Sequence, residues 1–257
     1  MPLEDLQNSR DHRRIAIDKV GVKNITYPVT VLDKTHGEQH TVARVNMYVS
    51  LPHHFKGTHM SRFVEVLNEY RHGITVRSLP QILEKIREKL DAVSAHLEIC
   101  FPYFMEKRAP VSRETSIMSY QCSLKGSIRE GEYDLLVQVK VPVTSVCPCS
   151  KAISAAGAHN QRSEVTVNVR FSEFVWIEDL VRMVEGRASA EVYSLLKRSD
   201  EKYVTEKAYN NPKFVEDIVR DVAQMLLKDP NVTWFSVEAE NFESIHNHNA
   251  YAYVEKY

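Results

Sequence analysis

Two thiols one residue apart, Cys147 and Cys149 in the run Val-Cys-Pro-Cys-Ser-Lys, are the side chains of this sequence best suited to chemistry. In an extended backbone successive side chains turn to opposite faces, so positions 147 and 149 share one face. Pro148 biases Cys147 toward β or polyproline geometry. Two soft nucleophiles projecting together suggest a metal ligand, an attacking thiolate, or one of each. A disulfide between them would close a strained ring. His159 follows about a dozen residues later, and a thiolate and an imidazole at that spacing can meet across a loop to share an ion. Ordinary strand-end cysteines and a surface histidine would leave the same letters.

Three further groups carry usable chemistry. Asp200-Glu201-Lys202 offers a carboxylate that completes a Cys/His/Glu set and leaves a coordination position open for water. A solvated charge run is the plainer account of the same residues. Glu216, one turn into a helix expected to start at Asn211-Pro212, suits the helix dipole, and it could equally present two oxygens to the N–H edge of a purine-like ring. In Glu243-Ser-Ile-His246-Asn-His248, two histidines two apart could move protons or bind metal, or simply occupy a polar turn. Lys56-Gly-Thr-His59-Met-Ser61-Arg62 places basic and hydroxyl groups at a helix start, an anion cradle without the GxxxxGK[ST] phosphate loop.

The elements that must position these groups follow from hydrophobic period. Residues 13–33 and 38–51 are rich in Val, Ile and Thr and read as strands. Helical spacing follows after a Ser61 cap, then in a second helix with Ser78 as cap, Pro80 in its first turn and Leu79, Ile82, Leu83, Ile86, Leu90, Val93 and Leu97 on one face. Extended runs return at 97–107 and 113–127. The second half repeats the order: strands at 131–146 and 161–171, helices at 175–186, 188–198 and from Asn211-Pro212 to Asp229-Pro230, and strands at 232–242 and 250–256. Each half thus reads strand-strand-helix-helix-strand-strand. This predicts an α+β fold of antiparallel sheets with helices on one face, in two modules at 1–128 and 129–257.

A formal charge of -1 argues against a protein that coats nucleic acid. No stretch of roughly 18 apolar residues is present to span a membrane. The charged amino end, Met1 to Arg14, lacks the apolar stretch of a secretion signal, and four cysteines are too few for a disulfide scaffold, so the expected compartment is the reducing cytoplasm.

Three separated segments, Val146-Cys-Pro-Cys-Ser-Lys-Ala-Ile-Ser154, Lys56-Gly-Thr-His-Met-Ser-Arg-Phe63 and Glu243-Ser-Ile-His-Asn-His248, together resemble type IB GTP cyclohydrolase over essentially the whole chain. The resemblance implies a tunnelling fold (T-fold) with two modules per subunit, assembled as a homotetramer with pockets at subunit interfaces. It implies conversion of GTP and water to 7,8-dihydroneopterin triphosphate and formate, the entry to folate. Carried onto this sequence, it implies Cys147, His159 and Glu201 as ligands of a divalent ion (zinc, manganese or iron), with mixed soft and hard donors leaving the metal open. It also implies Glu216 as the grip on the base, and Cys149, Glu243, His246 and His248 in the same pocket. Lys56, His59, Ser61, Arg62, Lys151 and Lys202 are then candidates for substrate contacts, the basic ones for the triphosphate. Two rivals are a T-fold reductase of 7-cyano-7-deazaguanine, for which no segment resembling its nicotinamide motif is present, and a non-catalytic binding protein with a structural metal.

Overall fold

The computed structural model describes Gln7, residues 9–70 and residues 73–256. Met1–Leu6 and Asn8, part of the charged amino end read above, lie outside the described residues. The chain divides into two compact units, one of residues up to Phe101 with Ser123–Leu136, the other of Pro102–Cys122 with Val137–Tyr257.

In the first unit, β1 (Ile17–Asp33) and β2 (Gly37–Leu51) form a long antiparallel hairpin, and β2 pairs in turn with the first part of β3 (Ser94–Arg108). The hairpin turn is fixed by Asp33, whose carboxylate accepts the N–H groups of Thr35 and His36 at 2.8 and 2.7 Å. Gly37, at φ +86°, takes the left-handed conformation that a side chain would resist. Two helices, α1 (Met60–Tyr70) and α2 (Leu79–Lys89), pack together, α2 burying Leu79, Ile82, Leu83 and Ile86. Gly126, on β4 (Thr115–Arg129), lets the Leu83 side chain approach; a Cβ there would sit 2.9 Å from Leu83 Cδ1.

The second unit contains most of β5 (Glu132–Val146), then α3 (Pro148–Ile153), β6 (Asn160–Phe171), α4 (Ile177–Glu185), β7 (Ala190–Glu191), α5 (Arg198–Asn210), α6 (Val215–Lys228), β8 (Val232–Asn241) and β9 (Ala250–Glu255). β5, β6, β8 and β9 pair antiparallel in that order, and β7 adds a short ladder to β5. Alternation decides the faces: Val137, Val139, Val141 and Val143 of β5, Val165, Val167 and Val169 of β6, and Val237 and Ala239 of β8 form one buried row set. The apolar stripes of α4 and α6 (Leu180, Val181 and Val184; Ile218, Val219, Val222 and Leu226) supply the buried residues of the helical layer. Each fully buried aliphatic contributes roughly 1.5–3 kcal/mol, so these rows carry most of the unit's cohesion.

Beneath α4 lies a buried polar network. Tyr103 donates to Glu178 at 2.6 Å, while Glu185 receives both Lys107 at 2.5 Å and Tyr120 at 2.8 Å. Lys107 also donates to the Val192 carbonyl and lies 4.4 Å over the Tyr193 ring. Burial, and then the Glu185 carboxylate, push the Tyr120 hydroxyl far above the ordinary tyrosine range. The same burial, with Glu178 nearby, raises the Cys122 thiol.

The antiparallel α+β class expected from the sequence is the observed one. Several local expectations are corrected. The 188–198 segment is not a helix; α5 starts at Arg198, because Asp200 accepts the Lys197 N–H and closes the first turn. Asn211 caps the end of α5, so Pro212 precedes α6 by a short linker, and α6 begins at Val215. Ser61 lies inside α1, and Val93 and Leu97 fall beyond the end of α2, Leu97 being an inward residue of β3.

Candidate active site

The two thiols do not share a strand face. β5 ends at Val146, and Pro148 opens the one-and-a-half-turn α3 at the position where a missing N–H costs nothing. Cys147 is therefore the cap, extended at φ −69° and ψ 118°, and its Sγ receives the Ser150 N–H at 3.4 Å. Cys149 is a helical residue and is exposed. The extended run expected for 147–149 ends at Cys147, because Pro148 holds the residue before it extended while itself suiting the first helical position.

His159 arrives beside Cys147 through backbone pairing: the Cys147 N–H donates to the His159 carbonyl at 3.1 Å, and the Ser150 hydroxyl receives the His159 N–H at 3.2 Å. The His159 ring is mostly buried. Its Nδ1 lies 3.0 Å from Gln161 Oε1 and 3.8 Å from Glu243 Oε2, and the Glu243 side chain is only 10% exposed. The His246 ring meets the His159 ring edge-on at 6.3 Å, and His248 stacks on His246 at 5.2 Å. Thus His159, Glu243, His246 and His248 gather within one unit, at the ends of β6 and β8 and next to the Cys147 cap. His246 and His248 are exposed, so this group is closed on the sheet side and open outward.

Glu201 stands exposed in the first turn of α5. Asp200 anchors that turn: its carboxylate receives the N–H groups of Val111 and Ser112 at 2.8 Å, the Ser112 hydroxyl at 2.7 Å and the Lys197 N–H at 2.9 Å. Burial pushes the Asp200 carboxyl up, but these bonds outweigh it and hold it well below the usual carboxylate range. Glu201 shares a helix stripe with Thr205 and Ala208, which, with Val204 and Tyr209, face Thr144, Val146, Ala158 and Asn160 across a cavity of about 370 Å³.

A thiolate and a neutral imidazole are suitable donors for a divalent ion, and His159 fits such a role. Its Nδ1 is engaged by acceptors, while its Nε2 makes no hydrogen bond among the described residues. Among those residues no three His, Cys, Asp or Glu side chains group closely enough to hold an ion. Cys147 and His159 are brought together through their backbones, the Cys147 N–H donating to the His159 carbonyl, and Cys147 Sγ accepts the Ser150 N–H.

The other candidate residues are placed as follows. Glu216 is exposed at the second position of α6, where Asp217 rather than Glu216 closes the cap through the Phe214 N–H. Lys151 donates to the Tyr209 carbonyl at 2.5 Å and lies 4.2 Å over its ring. Lys202, 75% exposed, approaches Glu206 at 3.8 Å. In the first unit, His59 and Arg62 line a cavity of about 200 Å³ with Gly57, Thr58 and Asp91, and Arg62 donates to the Lys89 carbonyl at 3.2 Å. Lys56 and Ser61 are exposed nearby in sequence.

Gln161, Ser145, Ser163 and Asn241 were not singled out from the sequence. No local signal marks them: they are polar residues at the ends of β5, β6 and β8 that only the structure shows to be buried.

Solved structures similar to this chain include the uricase of Arthrobacter globiformis, at TM-score 0.51 and 11% identity over 93% of this chain and 92% of that one. A uricase from Bacillus fastidious matches at TM-score 0.57 and 8% identity, covering 94% and 93%. These likenesses show the fold alone. By sequence, GTP cyclohydrolase FolE2 of Syntrophus aciditrophicus is 66% identical over 252 residues, covering 98% of this chain and 99% of the relative. GTP cyclohydrolase FolE2 of Geobacter metallireducens is 62% identical, covering 99% and 97%. The profile of type I GTP cyclohydrolase FolE2 matches residues 3–252. The chain belongs to the type I GTP cyclohydrolase FolE2 family.

Proposed function

We propose that this protein is a GTP cyclohydrolase that converts GTP and water to 7,8-dihydroneopterin triphosphate and formate, the first step of tetrahydrofolate biosynthesis. The observation that carries the reading is the convergence of His159, Glu243, His246 and His248 beside the Cys147 cap, in a chain of this family.

Cys147, His159 and Glu201 are the proposed holders of a divalent ion, zinc, manganese or iron. Such an ion supplies Lewis acidity that brings the pKa of water toward neutrality. Glu201 lies in the first turn of α5, one helical turn before Thr205, which lines the cavity beside Val146 and Ala158. The remaining work falls to side chains. Opening the guanine imidazole ring requires addition of water at C8, breakage of the C8–N bonds and departure of C8 as formate. Each breaking bond leaves a nitrogen that must gain a proton, and the stacked His246–His248 pair is suited to deliver it. Glu243, close to His159, places its carboxyl group where these imidazoles gather. Cys149, exposed on α3, lines the same pocket in this reading. Glu216 fixes the N–H edge of the base, and orientation of this kind lowers a barrier by several kcal/mol. Lys56, His59, Ser61, Arg62, Lys151 and Lys202 are assigned to the substrate, the cations to its triphosphate.

The proposal extends to tandem T-fold modules at 1–128 and 129–257, supported by the order β1-β2-α1-α2-β3-β4 and then β5-β6, helices, β8-β9. It also extends to a cytoplasmic homotetramer with pockets at subunit interfaces, supported by the exposed apolar side chains Phe214, Ile245, Tyr251 and Tyr253. No helix is long and apolar enough to cross a membrane. Incubation with GTP, followed by oxidation, tests the activity. A fluorescent pterin with stoichiometric formate is expected; neither product from metal-replete protein would refute it.

A further inference from the structure

The final inward positions of β5, β6 and β8 abandon aliphatic side chains. Beyond Val143, Val165 and Ala239 stand Ser145, then Ser163 and Gln161, and Asn241, all buried. The strands set them opposite one another, Ser145 with Gln161 and Ser163 with Asn241. Their side chains satisfy each other in a row that ends on His159. Ser163 donates to Asn241 Oδ1 at 2.6 Å, the Ser145 and Ser163 hydroxyl oxygens lie 3.1 Å apart, and Gln161 Nε2 donates to Ser145 at 2.7 Å. That last bond turns Gln161 Oε1 toward His159 Nδ1, 3.0 Å away.

The direction of the row is set at Gln161. Its Nε2 donates to Ser145, while the Ser163 hydroxyl faces both Ser145 and Asn241 Oδ1 as acceptors. Gln161 Oε1 is thereby left facing His159 Nδ1 as an acceptor, with Glu243 Oε2 3.8 Å from the same ring nitrogen. A network running the other way would aim an amide N–H at Nδ1.

We propose that Asn241, Ser163, Ser145 and Gln161 form a positioning row that holds His159 as its Nδ1–H tautomer, with the Nε2 lone pair presented to a divalent ion. The inference rests on the metal-centre reading of the site. Gln161 is the positioning residue in contact with the ring, and the other three fix its amide. Buried partners of this kind typically change metal affinity 10- to 100-fold when removed.

The test uses full-length protein with nitrogen-labelled histidine, stripped of metal, and long-range proton–nitrogen NMR, with zinc affinity from chelator competition. His159 in the wild type should be protonated at Nδ1 and bare at Nε2. Gln161→Leu should shift the ring toward the Nε2–H form and weaken zinc binding roughly 10- to 100-fold. Gln161→Glu, which keeps an acceptor facing Nδ1, should restore both. A wild-type ring protonated at Nε2 overturns the proposal without recourse to any variant, as does a Gln161→Leu protein with unchanged tautomer and zinc affinity. A wild type that shows the Nδ1–H ring yet binds no zinc supports the row and overturns the metal centre instead.

Discussion

Two regions of the second unit contain glutamates beside polar partners, and they differ in what is left over. Under α4, Glu185 is enclosed, with Lys107 and Tyr120 sharing one of its oxygens and both ion-pair side chains about one-tenth exposed. At the ends of β6 and β8, Glu243 is as buried as Glu185, yet it faces His159 and a pair of exposed histidines across an open side. The first arrangement uses its charges up in one another. The second keeps an imidazole edge, a thiol and two further imidazoles addressable from outside. Burial alone therefore does not mark reactive charge; burial on one side with unspent donors on the other does.

If that contrast is right, variants in the two regions must fail differently. The largest stability effect belongs to Lys107→Met, which strands the Glu185 carboxylate in the interior. Breaking a buried pair from one side costs roughly 3–5 kcal/mol, and a melt should fall by roughly 6–20 °C, at 2–4 °C per kcal/mol for a chain of this size. A melt within a degree or two of wild type would show the network to be dispensable. Asp200→Asn comes next. The amide can still accept from Val111 and Ser112 but sets an N–H against the Lys197 N–H. Asp200 also makes stability pH-dependent. Its folded carboxyl lies below the unfolded value of about 3.9. Its contribution is therefore whole above about pH 4 and is lost as pH falls through the folded value. The variant should show a flatter acid-unfolding curve; an unchanged acid limb would deny Asp200 that role.

On the open side the effects should appear in function. Glu216→Gln removes one partner of a charge-assisted hydrogen-bond pair, worth roughly 1.5–3 kcal/mol, so GTP should bind at least about tenfold more weakly at unchanged metal content. Lost metal with intact nucleotide affinity would refute the assignment. The smallest stability change is expected for Lys202→Ala. Its exposed pair with Glu206 contributes about 0.3–0.5 kcal/mol, so the melt should not move measurably, and any change should appear in KM for GTP.

Much of the frame was legible because period is local. The valine alternation of β5 and β6 and the stripes of α2 and α6 announce themselves within a few residues. Boundaries were less so: Pro212 fits a helix start, but Asn211 is spent in ending α5, its N–H donating to the Ala208 carbonyl while its side chain donates to the distant Ala188 carbonyl. In the candidate site, residue types pointed to Cys147, His159 and the His246–His248 pair, since thiols and imidazoles are rare and chemically marked. Gln161 and its serine partners carried no such mark. Their meaning lies in strand register, which pairs 145 with 161 and 163 with 241 across gaps no local window spans. The Lys107–Glu185 pair, 78 residues apart, was hidden for the same reason.

The most direct test of the account is Cys147→Ala, measured for pterin formation from GTP alongside its thermal melt. Removal of one cap sulfur at a half-open site should abolish product while the protein keeps its oligomeric state and melts close to wild type. Product formed at the wild-type rate, or a chain that no longer folds, would contradict the claim that this cluster is the reaction centre rather than part of the scaffold.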